Sequence, residues 1–165
     1  GALGAATLGA LVAARGDRDL PRRWTRAERA VAILLAADLC GGVWANANPS
    51  AVRWYHRPGQ GTHHHLGFSA AHLHPFLVAR LYRDRDWPFA LGNYAYLLAA
   101  TAAVAQTPPR GRRPVALALT AAAVWLNTAL WPPTPGLRWF APVFYLKLLV
   151  SHAAGGFVDR DERPQ

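Results

Sequence analysis

Residues 90–105 and 115–131 contain no charged side chain. At about 1.5 Å of rise per helical residue, each run can cross most of the roughly 30 Å hydrocarbon core of a bilayer. Mean hydropathy over the chain is close to zero, but that average hides a partition. Arginines crowd into short segments, and between them lie stretches of Ala, Leu, Val and aromatic residues. A soluble helical domain would instead spread charge along the outward face of every helix. The expectation is an all-α fold, a polytopic transmembrane helical bundle of five complete spanning helices plus a partial N-terminal one. At 165 residues the chain suits one compact unit, with residues 1–158 as a single transmembrane domain and 159–165 as a polar C-terminal tail.

The net charge of +9 does not point to nucleic acid. All but one of the 18 basic residues are arginine, and nearly all flank apolar runs, where they serve as interfacial anchors and topology signals. Stripes of basic residues interleaved with exposed aromatics are absent. Cys40 is the single cysteine, so no disulfide can form within the chain.

Local signals set the helix limits. Residues 1–14 span about 21 Å as a helix, short of a full crossing, and read as a truncated or thin first span, with a signal-like apolar segment as the alternative. Thr25 and Glu28 make a capping box for a second helix over 26–47, with Trp24 as an interfacial anchor and Asn48-Pro49 as the stop. A loop follows over 50–62. The third helix covers 63–82, where Pro75 removes an N–H and clashes one turn back, so a kink is expected that frees the Ala71 carbonyl. After a charged turn at 83–86, Asp86 or Trp87 caps a fourth helix reaching Gln106, with Pro88 in its first turn. Pro114 opens the fifth helix and Pro132-Pro133 stops it. Residues 134–141 lie along the interface, anchored by Trp139 and Phe140, and Pro142 begins a sixth helix ending near Gly155. A slight arginine bias puts the 15–29 loop in the cytoplasm, with the bacterial inner (plasma) membrane as the expected location.

Within this frame a few ionisable residues stand out. Asp38 interrupts the apolar run 30–47, His72 and His74 lie deep in the third helix, and Lys147 interrupts the sixth. Each costs about 3 kcal/mol at mid-bilayer unless it meets a partner or water. Alternating helices place Asn46, Asn48, His56, His63, His64, His65 and His152 towards one surface, with Asp38, His72 and His74 deeper. The polar residues thus line a path from one face to the middle. Lys147 has only Asp38 as a deep acidic partner, so an Asp38–Lys147 pair, or an Asp38–His–Lys147 cluster, is expected. His72 and His74, about 200° apart on a regular helix, should serve different neighbours unless the Pro75 kink rotates one. Ala37, Gly41 and Ala45 form a small-residue stripe expected to receive the third helix.

Several functions suit such a site. The first is a metal-binding redox or hydrolytic membrane enzyme, holding a divalent transition metal, Zn or Fe, with His56, His63, His64, His65, His72, His74 and Asp38 as the ligand pool. The HHH and HxH spacings are not the HxxxH and HxxHH boxes of membrane di-iron desaturases. Haem or pigment ligation by His72 or His74, with His152 as the second ligand, is the variant. The second is a proton-coupled channel or small transporter, in which Asp38, His72 and Lys147 do the chemistry. The third is a non-catalytic membrane subunit whose polar side chains only hold helices together, as Asn127 would. For His63–His65 the plain reading is a solvated helix start at headgroup level. The expected partners are the lipid bilayer and either further copies of the chain or a larger membrane complex, with no nucleic acid.

Overall fold

The computed structural model describes residues 1–14, 18, 20 and 23–155; the expected tail at 159–165 and part of the 15–29 loop lie outside them. Among the described residues every regular element is helical. In chain order they are α1 (Ala2–Ala13), α2 (Arg26–Ala47), α3 (Pro49–Tyr55), α4 (Thr62–Ala70), α5 (His74–Tyr82), α6 (Trp87–Gln106), α7 (Arg112–Leu130, entered through a 3-10 turn at Pro109–Gly111) and α8 (Phe140–Tyr145), which continues as a π-helix over Leu146–Ala153. Three helical stretches, Arg26–Ala47, Trp87–Gln106 and Pro109–Leu130, are long and apolar enough to cross a membrane, while Ala2–Ala13 and Phe140–Ala153 are shorter apolar helices.

Capping chemistry sets several ends as expected. Thr25 accepts a hydrogen bond from the Glu28 N–H, and the Glu28 carboxylate accepts from the Thr25 N–H in return. Asp86 accepts from the Phe89 N–H at 3.0 Å and opens α6, with Pro88 in the first turn. Pro132 and Pro133 follow the end of α7 directly. Asn48 does more than stop α2. Its side chain accepts from the Ala51 N–H and starts α3 in what was expected to be loop, because Pro49 fits a first helical position where its missing N–H costs nothing.

Two helices depart from the regular form. The expected third helix is not kinked but broken: α4 ends at Ala70, residues 71–73 are non-helical, and α5 restarts at His74. Pro75 lies in the first turn of α5, where a proline begins a helix rather than bending one. The Ala71 carbonyl is not free, since it accepts from the Leu73 N–H at 3.1 Å. Tyr94 from α6 donates to the Ala70 carbonyl at 2.8 Å, so the break is satisfied by the chain itself. The last helix widens after Tyr145 into five-residue hydrogen-bonded turns, ending with the Ala154 N–H on the Leu149 carbonyl at 2.9 Å. Gly155, at φ +80°, closes it in the left-handed region, which an L side chain rarely enters.

Packing corrects two further expectations. The small-residue stripe of α2 receives α1, not the third helix: a Cβ on Gly41 would lie 3.1 Å from the Ala6 Cβ, and α2 packs most extensively against α1 and then the π-helix. Trp24 and Phe140, expected at the interface, are buried at 6% and 1% exposure. Trp24 donates to the Leu81 carbonyl and meets Tyr82 edge-on. By contrast Leu3, Leu8, Leu34, Leu91, Trp125 and Leu130 point outward.

Candidate functional site

Asp38 comes from the middle of α2, His74 from the first residue of α5, and Lys147 from the second residue of the π-helix. They meet at one atom. Asp38 Oδ2 accepts from His74 Nε2–H at 2.8 Å and from Lys147 Nζ at 2.5 Å. Lys147 is almost wholly buried, whereas the Asp38 side chain is half exposed. Gly42, one turn along α2 from Asp38, makes room for the lysine, since a Cβ there would lie 2.7 Å from Lys147 Cδ and 3.0 Å from Nζ.

Two of the three partners carry an atom without a hydrogen bond. Asp38 Oδ1 has no hydrogen bond among the described residues, and His74 Nδ1 is buried without one. A carboxylate can only accept, so His74 Nε2 carries a proton, and in the neutral imidazole Nδ1 is the acceptor.

The break between α4 and α5 brings His72 beside His74, their rings 5.3 Å apart and 17° from parallel. The opposite-face expectation held for a continuous helix and fails here because residues 71–73 reset the rotation. His72 Nδ1–H donates to the Phe68 carbonyl at 2.7 Å.

A second imidazole group lies nearer the α3 end. His65 Nδ1 and His152 Nε2 share a hydrogen bond of 3.2 Å, and His56 Nε2–H donates to the His152 carbonyl at 2.9 Å. His65 and His152 are both buried. Phe68 separates the two groups, stacked on His152 at 3.8 Å and tilted against His72 at 4.7 Å. His152 was expected on the polar path and as a second haem ligand, whereas Phe68 was not among the expected site residues. The signal for His152 was its five-residue spacing from Lys147, meaningful only once the helix is known to be π.

His63 and His64 stay apart from both groups. They are exposed, with rings 3.9 Å apart, and His64 Nδ1 accepts from the Gly61 N–H at the start of α4. That is the helix-start role of the plain reading.

The expected ligand pool of His56, His63, His64, His65, His72, His74 and Asp38 therefore does not converge. Among the described residues no group of three or more His, Cys, Asp or Glu side chains could hold a metal ion. The paired donors instead point at one another or at carbonyls.

Asn127 belongs elsewhere. Its Nδ2 donates to Asn93 Oδ1 at 2.9 Å, and the Tyr145 hydroxyl donates to the same oxygen at 2.9 Å. This joins α6, α7 and α8 through one buried amide.

No protein-family model matches this chain, no curated protein matches it, and no solved structure matches it.

Proposed function

We propose that this chain is an integral membrane protein, with the bacterial inner membrane as its setting, that passes protons through the Asp38–His74–Lys147 site. The observation that carries the reading is the one carboxylate oxygen receiving both His74 and Lys147, with open atoms on either side of the His74–Asp38 bond. A proton taken up at His74 Nδ1 lets Nε2 release its own proton to Asp38, whose side chain is half exposed. Lys147 holds the carboxylate in place and offsets its charge.

The outward leucines and tryptophans, together with three helices long and apolar enough to cross a membrane, support lipid as the surrounding solvent. In that solvent α4 and α5 act together as one interrupted crossing, and the last helix crosses with its π segment, which gives the five spans read from the sequence. Interrupted helices in membranes are tolerated where they line a cavity or a site, and π segments concentrate at functional positions. Both irregularities here flank Asp38. The group of His56, His65 and His152 forms the mouth of the path, and Phe68 closes it from the inner pair until its ring turns aside. Among bland readings, interhelical glue accounts for Asn93, Asn127 and Tyr145, where every partner is matched. It does not account for a half-open carboxylate.

The test is proton flux in proteoliposomes carrying a pH-sensitive dye under an imposed gradient. Wild type conducts, Asp38→Asn and His74→Gln do not, and Phe68→Ala conducts faster. A silent wild type would overturn the reading. Stoichiometric Zn or Fe in untagged protein, lost in His72→Ala and His74→Ala, would replace it with the metal-binding enzyme.

A further inference from the structure

At the opposite end of the bundle from the histidine mouth, the first turn of α6, the last turn of α7, residues 131–138 and the start of α8 enclose a cleft of about 410 Å³. That size lies in the range of small-ligand pockets. Its walls are mainly apolar, with Phe89, Trp131, Leu137 and Phe140 prominent, and its polar part carries Arg83 and Arg138.

The two arginines differ. Arg83 is a fixed wall: its guanidinium is bound to Asp86 at 2.8 Å, to the Pro132 carbonyl at 3.2 Å and to Thr134 Oγ1 at 2.5 Å, and it lies over the Phe89 ring at 4.6 Å. Asp86 neutralises it. Arg138 is exposed and has no hydrogen bond or ion pair among the described residues. The cleft therefore joins an apolar interior to one uncompensated positive charge. We propose that it binds one anionic amphiphile, with an acyl chain among Phe89, Leu137 and Phe140 and a negatively charged headgroup at Arg138.

This inference rests on the membrane placement in the proposed function but not on the proton path. In that placement the cleft sits where the spans α6 and α7 meet the headgroups, level with Trp87, Trp131 and Trp139, the depth aromatic anchors occupy. Basic pockets at that level recognise lipid headgroups, and guanidinium suits both phosphate and carboxylate.

The test uses full-length protein stripped of lipid in dodecyl maltoside, with bound species counted by native mass spectrometry. The probes are phosphatidylglycerol, phosphatidylcholine with the same chains, oleate and inorganic phosphate. One phosphatidylglycerol is retained, oleate displaces it, and phosphate at equal concentration does not. Arg138→Gln weakens retention at least about tenfold, the scale of a lost charged contact. Ala141→Phe, which fills the cleft, abolishes it. Equal retention of the two phospholipids, displacement by phosphate alone, or unchanged binding in Arg138→Gln would each overturn the proposal. Arg138 is exposed, so its variant tests the site even where Ala141→Phe does not fold. Binding is read without a gradient, so absence of proton flux leaves this measurement standing.

Discussion

Replacing Gly42 by alanine tests whether Lys147 is held against Asp38 by a space that only glycine leaves. On an ordinary helix the change stabilises by about 1 kcal/mol, the difference in intrinsic helix propensity. Here the added methyl would lie 2.7 Å from Lys147 Cδ and 3.0 Å from Nζ, against a side chain that is 3% exposed. Overpacking of this kind costs about 1–3 kcal/mol. Pushing the ammonium off Asp38 adds about 1 kcal/mol, the upper end for an ion pair whose carboxylate is half open. The net effect is destabilisation by about 2 kcal/mol, opposite in sign to the propensity effect. Reversible unfolding in mixed detergent micelles reads it, and a cycle with Lys147→Ala isolates the cause. In the Lys147→Ala background the clash is gone, so Gly42→Ala becomes neutral or stabilising. Should Gly42→Ala be as stable as wild type, or its cost be the same in both backgrounds, the steric account of the site is wrong.

Three further outcomes are expected. Tyr145→Phe removes one donor from Asn93 and costs about 1 kcal/mol, yet leaves proton flux unchanged, because that cluster only joins helices; a fall in flux would move it into the path. Thr25→Ala destroys the capping box and costs about 1 kcal/mol, read as faster amide hydrogen exchange over residues 26–29 with α5 unaffected. His63→Ala combined with His64→Ala leaves flux within about twofold of wild type, as exposed substitutions do; a larger loss would make those imidazoles part of the mouth.

The sequence carried the ends of α2, α6 and α7 clearly, because Thr25, Glu28, Asp86, Pro88 and the Pro132-Pro133 pair act within one turn of themselves. It also carried the Asp38–Lys147 encounter, by elimination, since no other acid lay at depth. What it did not carry were the two irregular helices. Pro75 is compatible with a kink inside a helix or with the first turn of a new one, and only tertiary contacts at the break, such as Tyr94 of α6 on the Ala70 carbonyl, decide between them. Residues 146–153 look the same along the chain whether they are wound as α or π. The metal expectation failed to find its geometry for the same reason. Histidine density is visible in one dimension, while convergence depends on rotations that the break and the π-helix set.

Residues 146–153 also hold a consequence for Lys147 and His152. Five positions of an ordinary α-helix turn through about 500°, leaving such a pair some 140° apart. With hydrogen bonds spanning five residues, one circuit returns almost to its start, so the ammonium and the imidazole project from the same flank of the rod. Rewinding the segment to α geometry with all its residues kept would swing one of the two away, whereas deleting one residue between them would leave an i, i+4 pair on one face. At this spacing the wider winding thus acts as a coupling pin between the two polar groups.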